Sequence, residues 1–90
     1  MFTNLLPNAP ANLATSNITA TTVDLDWDAI EDASGYDVFV DGVLEDSVTT
    51  NSYTVSGLTT ATDYDIYVVA TNSKYGTESA PSNTVTVTTA

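Results

Sequence analysis

Twelve carboxylates and a single lysine, with no histidine and no cysteine, define the reactions open to this chain of 90 residues. A serine–histidine or cysteine–histidine pair cannot be assembled, so nucleophilic catalysis is left with a serine set against Lys74. In a solvated loop that amine stays protonated and unreactive. Paired carboxylates hydrolyse glycosides only where a cleft raises the pKa of one of them by burial. Asp24-Leu25-Asp26-Trp27-Asp28 has the alternating acids of a calcium loop, but Ala29 and Gly35 stand where an EF-hand needs glycine and glutamate. A looser calcium site from Asp28, Glu31 and Asp32 remains a candidate, because a hard cation accepts several oxygens from one turn. The plain alternative is a solvated acidic loop. No residue is assigned a catalytic role, and no other cofactor is implied.

The elements that must carry these groups are strands. Threonine and valine are abundant, and apolar residues recur with a period of two. Val23, Leu25 and Trp27 alternate with Asp24, Asp26 and Asp28, which gives one dry face and one carboxylate face. Tyr36, Val38 and Val40 alternate with Asp37, Phe39 and Asp41. Asp41-Gly42 favours a tight hairpin, because both residues tolerate positive φ, and Val43 to Val48 returns from it. Further strands are expected near Asn12 to Ser16, around Tyr53 and Val55, from Tyr64 to Thr71, and from Thr84 to Thr88. Seven short strands with frequent turns predict an all-β, two-sheet antiparallel sandwich.

Composition limits the partners. Ninety residues hold one domain with a modest core, and 42% apolar content argues against disorder. Without cysteine the fold rests on apolar packing. A net charge of −11 excludes nucleic acid, whose phosphates must be met by lysine and arginine, and disfavours an anionic membrane surface. The acidity reads as solubility, as adaptation to high salt, or as a match to calcium or a cationic partner. Met1 to Pro7 lacks the basic and apolar regions of a signal peptide, and no apolar run approaches membrane-spanning length. Asn17-Ile18-Thr19 matches a glycosylation sequon, which matters only in a secretory setting.

From about Pro10 to Thr89 the residues resemble the fibronectin type III family. Pro10 and Leu13 match its opening strand, Trp27 the core tryptophan, and Gly35-Tyr36-Asp37-Val38 the third strand. Leu58 through Tyr64 matches the corner in which a tyrosine hydroxyl bonds back to a turn, although Thr60 and Ala61 replace the usual Pro-Gly. Ala70-Thr71-Asn72, Gly76 and Ser79-Ala80-Pro81-Ser82 match the sixth strand, the next loop and the lead-in to the last strand. The resemblance implies an immunoglobulin-like sandwich over residues 10–90, preceded by an arm over residues 1–9, and a binding, spacer or adhesion role rather than an enzymatic one. The loop Ser73-Lys74-Tyr75-Gly76-Thr77-Glu78 contains no Arg-Gly-Asp, so integrin binding does not carry over.

Trp27, Tyr36, Leu58 and Tyr64 are expected in the core. Phe39, Tyr67 and Val69 are expected together on an outward face rimmed by Asp37 and Asp65, as an interface. Phe2, Leu5, Leu6 and Pro7 form an apolar arm that would dock on a partner. Taken as a complete chain without an export signal, these features suggest a structural or decoration protein of a phage-like virion. Its partner would be a capsid or tail protein, and its place an extracellular or virion surface. The alternative is a spacer or weak carbohydrate- or protein-binding module from a secreted bacterial enzyme or adhesin, with Phe39, Tyr67 and Tyr75 as the aromatic candidates for glycan.

Overall fold

A computed structural model describes residues 7–31 and 33–90. The alternation read from the sequence becomes two antiparallel sheets. The smaller has the order β1 (Ala14–Ser16), β2 (Val23–Asp26), β5 (Ser52–Val55). The larger runs β4 (Val43–Val48), β3 (Gly35–Val40), β6 (Asp63–Asn72), and the far edge of β6 is shared by β7 (Thr77–Glu78) and β8 (Val85–Thr88). The strand beyond the expected seven is β7, a short pairing of Thr77 and Glu78 with the end of β6.

Between the sheets lie Leu13, Val23, Leu25, Trp27, Tyr36, Val38, Val55, Leu58, Ile66, Val68, Ala70 and Val87. Trp27 meets Tyr36 edge to face, with ring centroids 5.4 Å apart. The Tyr36 hydroxyl accepts the Ile30 N–H at 2.8 Å and so anchors the β2–β3 loop. Trp27 Nε1 is buried without a hydrogen bond among the described residues. An unmet donor costs about 1–3 kcal/mol. Burying an aromatic ring of about 150–250 Å² gains about 4–6 kcal/mol, so the ring's burial prevails.

Asp41 and Gly42 take φ of 52° and 80°, as a two-residue primed turn requires, and they set Val43 opposite Val40. A bulge then shifts the register between Val38 and Phe39. Gly35 allows close strand approach, since a Cβ there would lie 2.8 Å from the Val48 carbonyl oxygen.

On the other edge of β6, Pro81 lacks an N–H and the last strand cannot run unbroken. Two buried serines take over. Val68 donates to Ser82 Oγ at 2.9 Å while the Ser82 N–H returns to the Val68 carbonyl at 2.8 Å. Ala70 and Ser79 repeat the exchange at 2.8 Å in both directions.

At the corner, the Thr59 N–H donates to the Tyr64 hydroxyl at 2.7 Å. Tyr64, expected in the core, is half-buried. Its ring packs against the core margin, and its hydroxyl must reach an exposed turn. Ala61 sits at φ 51°, a conformation that suits glycine better than alanine.

Replacing Ser82 by alanine strands the buried Val68 N–H and should cost about 1–3 kcal/mol. Tyr64→Phe exposes the Thr59 N–H to water and should cost about 1 kcal/mol or less. Urea midpoints at constant slope test this order. Ala61→Gly should raise stability by about 0.5–1 kcal/mol, as relief of the left-handed strain outweighs the added freedom of the unfolded chain. A lower midpoint would contradict the strain.

Candidate functional site

The register of the larger sheet determines which side chains share its outer face. Leu44 lies opposite Phe39, and Phe39 opposite Tyr67. The Phe39 and Tyr67 rings stack with centroids 5.0 Å apart and planes 9° from parallel. Both are half-buried, whereas Leu44 at the sheet edge is 51% exposed. Sequence reasoning missed Leu44, although the Asp41-Gly42 turn carried the signal: a two-residue turn that pairs Val40 with Val43 also pairs Phe39 with Leu44.

Val69, expected to face water on this surface, is only 6% exposed. Backbone flanks it closely on both sides of β6. Asp37 on β3 pairs with it directly, and the Ser79 and Ser82 exchanges bracket it on the other edge. The accessible apolar centre is therefore Leu44, Phe39 and Tyr67.

The carboxylates around this centre are held by neutral donors. Ser47 Oγ donates to Asp37 at 2.6 Å, Thr86 Oγ1 to Asp65 at 2.7 Å, and Thr88 Oγ1 to Asp63 at 2.5 Å. The smaller sheet repeats the device with Thr54 Oγ1 and Asp24 at 2.8 Å. In all four cases the hydroxyl residue is the direct cross-strand partner of the acid. Asp41 accepts the Asp65 N–H at 2.9 Å and ties the β3–β4 turn to β6. Such bonds fix the carboxylates without cancelling their charge.

Lys74 is exposed on the loop after β6 and lies 5.3 Å from the centroid of the Tyr75 ring. Tyr75 is itself 48% exposed. From Tyr67 to the end of β6 is about 17 Å of strand, so Tyr75 is not in a row with Phe39 and Tyr67. The stacked pair, moreover, turns one ring face of each residue toward the other. The three aromatic candidates for glycan are thus not assembled in one row.

For calcium, Asp28 is exposed and accepts a hydrogen bond from Asn12 Nδ2 at 2.6 Å. Glu31 is exposed, and Asp32 lies outside the described residues, as do Phe2, Leu5 and Leu6 of the arm. Pro7 and Pro10 are buried. No group of three or more potential metal ligands forms among the described residues.

The smaller sheet offers a shallow depression of about 300 Å³ lined by Ser16, Asp24, Leu25, Asp26, Ser52, Tyr53 and Thr54. Bonds from Asn17 Nδ2 and Thr54 Oγ1 lower the pKa of Asp24. Burial, with the charges of Asp46 and Glu45, raises that of Tyr53.

These sites are part of a known architecture. The profile of the "Fibronectin type III domain" matches residues 8–86. Chitinase Chi52 of Paenibacillus xylanexedens is 42% identical over 86 residues, covering 92% of this chain but 16% of the chitinase. The tail tube protein gp17.1* of Bacillus phage SPP1 is 41% identical over 85 residues, 92% of this chain and 31% of that protein. Among solved structures, the fibronectin type III domain of human fibronectin type III domain containing protein 3 superposes with a TM-score of 0.81. It is 24% identical and covers 98% of this chain and 90% of that one, a likeness of fold.

The shifts have opposite pH signs. Asp24 stabilises the fold above the ordinary carboxylate pKa, and that contribution is lost as acid passes through its lowered value. Tyr53 contributes below pH about 10, and the contribution is lost as pH rises through its raised value. Absorbance titration of phenolate should show a late component that is lost in Tyr53→Phe and moves to lower pH in Asp46→Asn. An unchanged profile in Tyr53→Phe would refute the assignment.

Proposed function

The chain belongs to the fibronectin type III domain family, and we propose that it serves as a non-catalytic module set in line between domains of an extracellular polysaccharide-degrading protein. The observation that carries this reading is where the chain enters and leaves the sandwich. Ala11 accepts a hydrogen bond from Asp28 in the β2–β3 loop, and that loop meets the Asn72 end of β6 through the bond from Ser34 to Thr71. Ala90 is held at the opposite end, donating to Thr19 and accepting from Ala61. Ten strand residues separate these ends, a span of about 33 Å. Flanking domains joined at these points would be held apart rather than folded back on each other.

The chain spans 16% of the chitinase it resembles, which accords with one module in a longer protein. The stacked geometry of Phe39 and Tyr67 favours spacing over glycan capture.

A second reading is supported by the phage tail tube relative: an accessory structural module of a virion, docked on a capsid or tail protein, with Phe2, Leu5 and Leu6 in its docking arm. Electron microscopy of particles from the source, labelled with antibody to the chain, distinguishes the two. Decorated particles would replace the enzyme reading.

The in-line role is tested by inserting the chain between two folded reporter domains and measuring their separation by small-angle scattering. An increase of about 30 Å is expected from the length of β6. Unchanged separation, or retention of the isolated chain on insoluble chitin, would overturn the spacer reading.

A further inference from the structure

We propose that the outer face of the larger sheet around Leu44, Phe39 and Tyr67 is a docking surface for a protein partner carrying lysine or arginine side chains around an apolar centre. This goes beyond the in-line role, which needs only the two ends of the sandwich.

The apolar centre is Leu44, 51% exposed, beside the stacked and half-buried Phe39 and Tyr67. Asp37, Asp41 and Asp65 stand on adjoining positions of β3, its turn and β6. All three acids are already aligned: Asp37 by Ser47 Oγ, Asp65 by Thr86 Oγ1, and Asp41 by the Asp65 N–H. Their donors are neutral, so the rim keeps its negative charge. The chain's one lysine lies on the loop beyond the Asn72 end of β6, against Tyr75. The rim is thus hydrogen-bonded in place, negative and without a counter-charge of its own among the described residues.

Charge complementarity then selects the occupant. A second copy would set this rim against an identical one, and like charges in contact oppose association. Nucleic acid and anionic lipid are repelled for the same reason. A sugar stacks on a broad exposed ring face, and these rings are half-buried with one face of each turned to the other. A basic protein surface both neutralises the rim and covers Leu44, with its charges increasing the rate of encounter.

The test is an NMR titration of the isotope-labelled chain with a synthetic heptapeptide alternating lysine and leucine, and with a control in which glutamate replaces lysine. The lysine peptide should shift the amides of Leu44, Phe39 and Tyr67 first, and the glutamate peptide should not bind. Affinity should fall about tenfold between about 50 and about 300 mM salt. Leu44→Ser, at an exposed position, should weaken binding several-fold with an unchanged melting midpoint. Asp37→Asn, which keeps an acceptor for Ser47, should reduce the salt dependence. Shifts spread equally over the Asp24 and Asp26 face would overturn the proposal, as would binding indifferent to Leu44→Ser. Chitin oligosaccharide shifting the same amides, or concentration-dependent dimerisation through them, would assign the face to another occupant.

Discussion

The double pairing of β6 is the constraint from which the remaining structure follows. β3 pairs with it from Gly35 to Val40 along one edge. The other edge is shared in turn by β8, by Ser82 and Ser79, and by β7. A strand hydrogen-bonded on both sides places every alternate side chain between neighbours. That fixes Ile66, Val68 and Ala70 in the core and leaves Tyr67 on the outer face against Phe39. The proline that would interrupt this edge is bridged by hydroxyls placed to accept where a strand carbonyl would otherwise do so.

A second constraint is charge. With twelve acids and one lysine, salt bridges cannot supply partners for the carboxylates. Threonine and serine set directly across the ladder supply them instead, for Asp24, Asp37, Asp63 and Asp65. The abundance of threonine therefore has two causes: its branched side chain suits the pleat, and its hydroxyl steadies an acid on the next strand. A surface built this way is orderly without being neutral, which separates the stability of the sandwich from the sign of its field.

Much of this was legible from local pattern. The alternation around Val23 to Trp27, the Asp41-Gly42 turn, and the spacing from Leu58 to Tyr64 each depend on neighbours in sequence, and each leads to the sheet position it occupies. What escaped depends on partners distant in sequence. Val69 is outward by alternation, but it lies between Asp37 on β3 and the Ser79–Ser82 segment and is only 6% exposed. Leu44 is the local exception, since the Asp41-Gly42 turn alone sets it opposite Phe39, and the bulge breaks alternation only beyond it. Ser79 and Ser82 look like loop residues until Pro81 is seen to break the last strand beside β6. Tyr64 matches the corner in type and place, but the turn it serves holds it at the core's margin.

The fastening of Ala90 has a mechanical consequence. Its carbonyl accepts from Ala61 and from the Thr60 hydroxyl, and its N–H donates to Thr19. Any segment continuing from Ala90 would deliver tension first to this knot, which joins the β1–β2 turn to the corner after β5. Only after those bonds, and the bonds of Thr89 to Thr59 and Thr62 behind them, had parted would load pass to the ladder between β8 and β6. Under such tension the knot would act as a strain relief, sparing the last strand from being peeled away first.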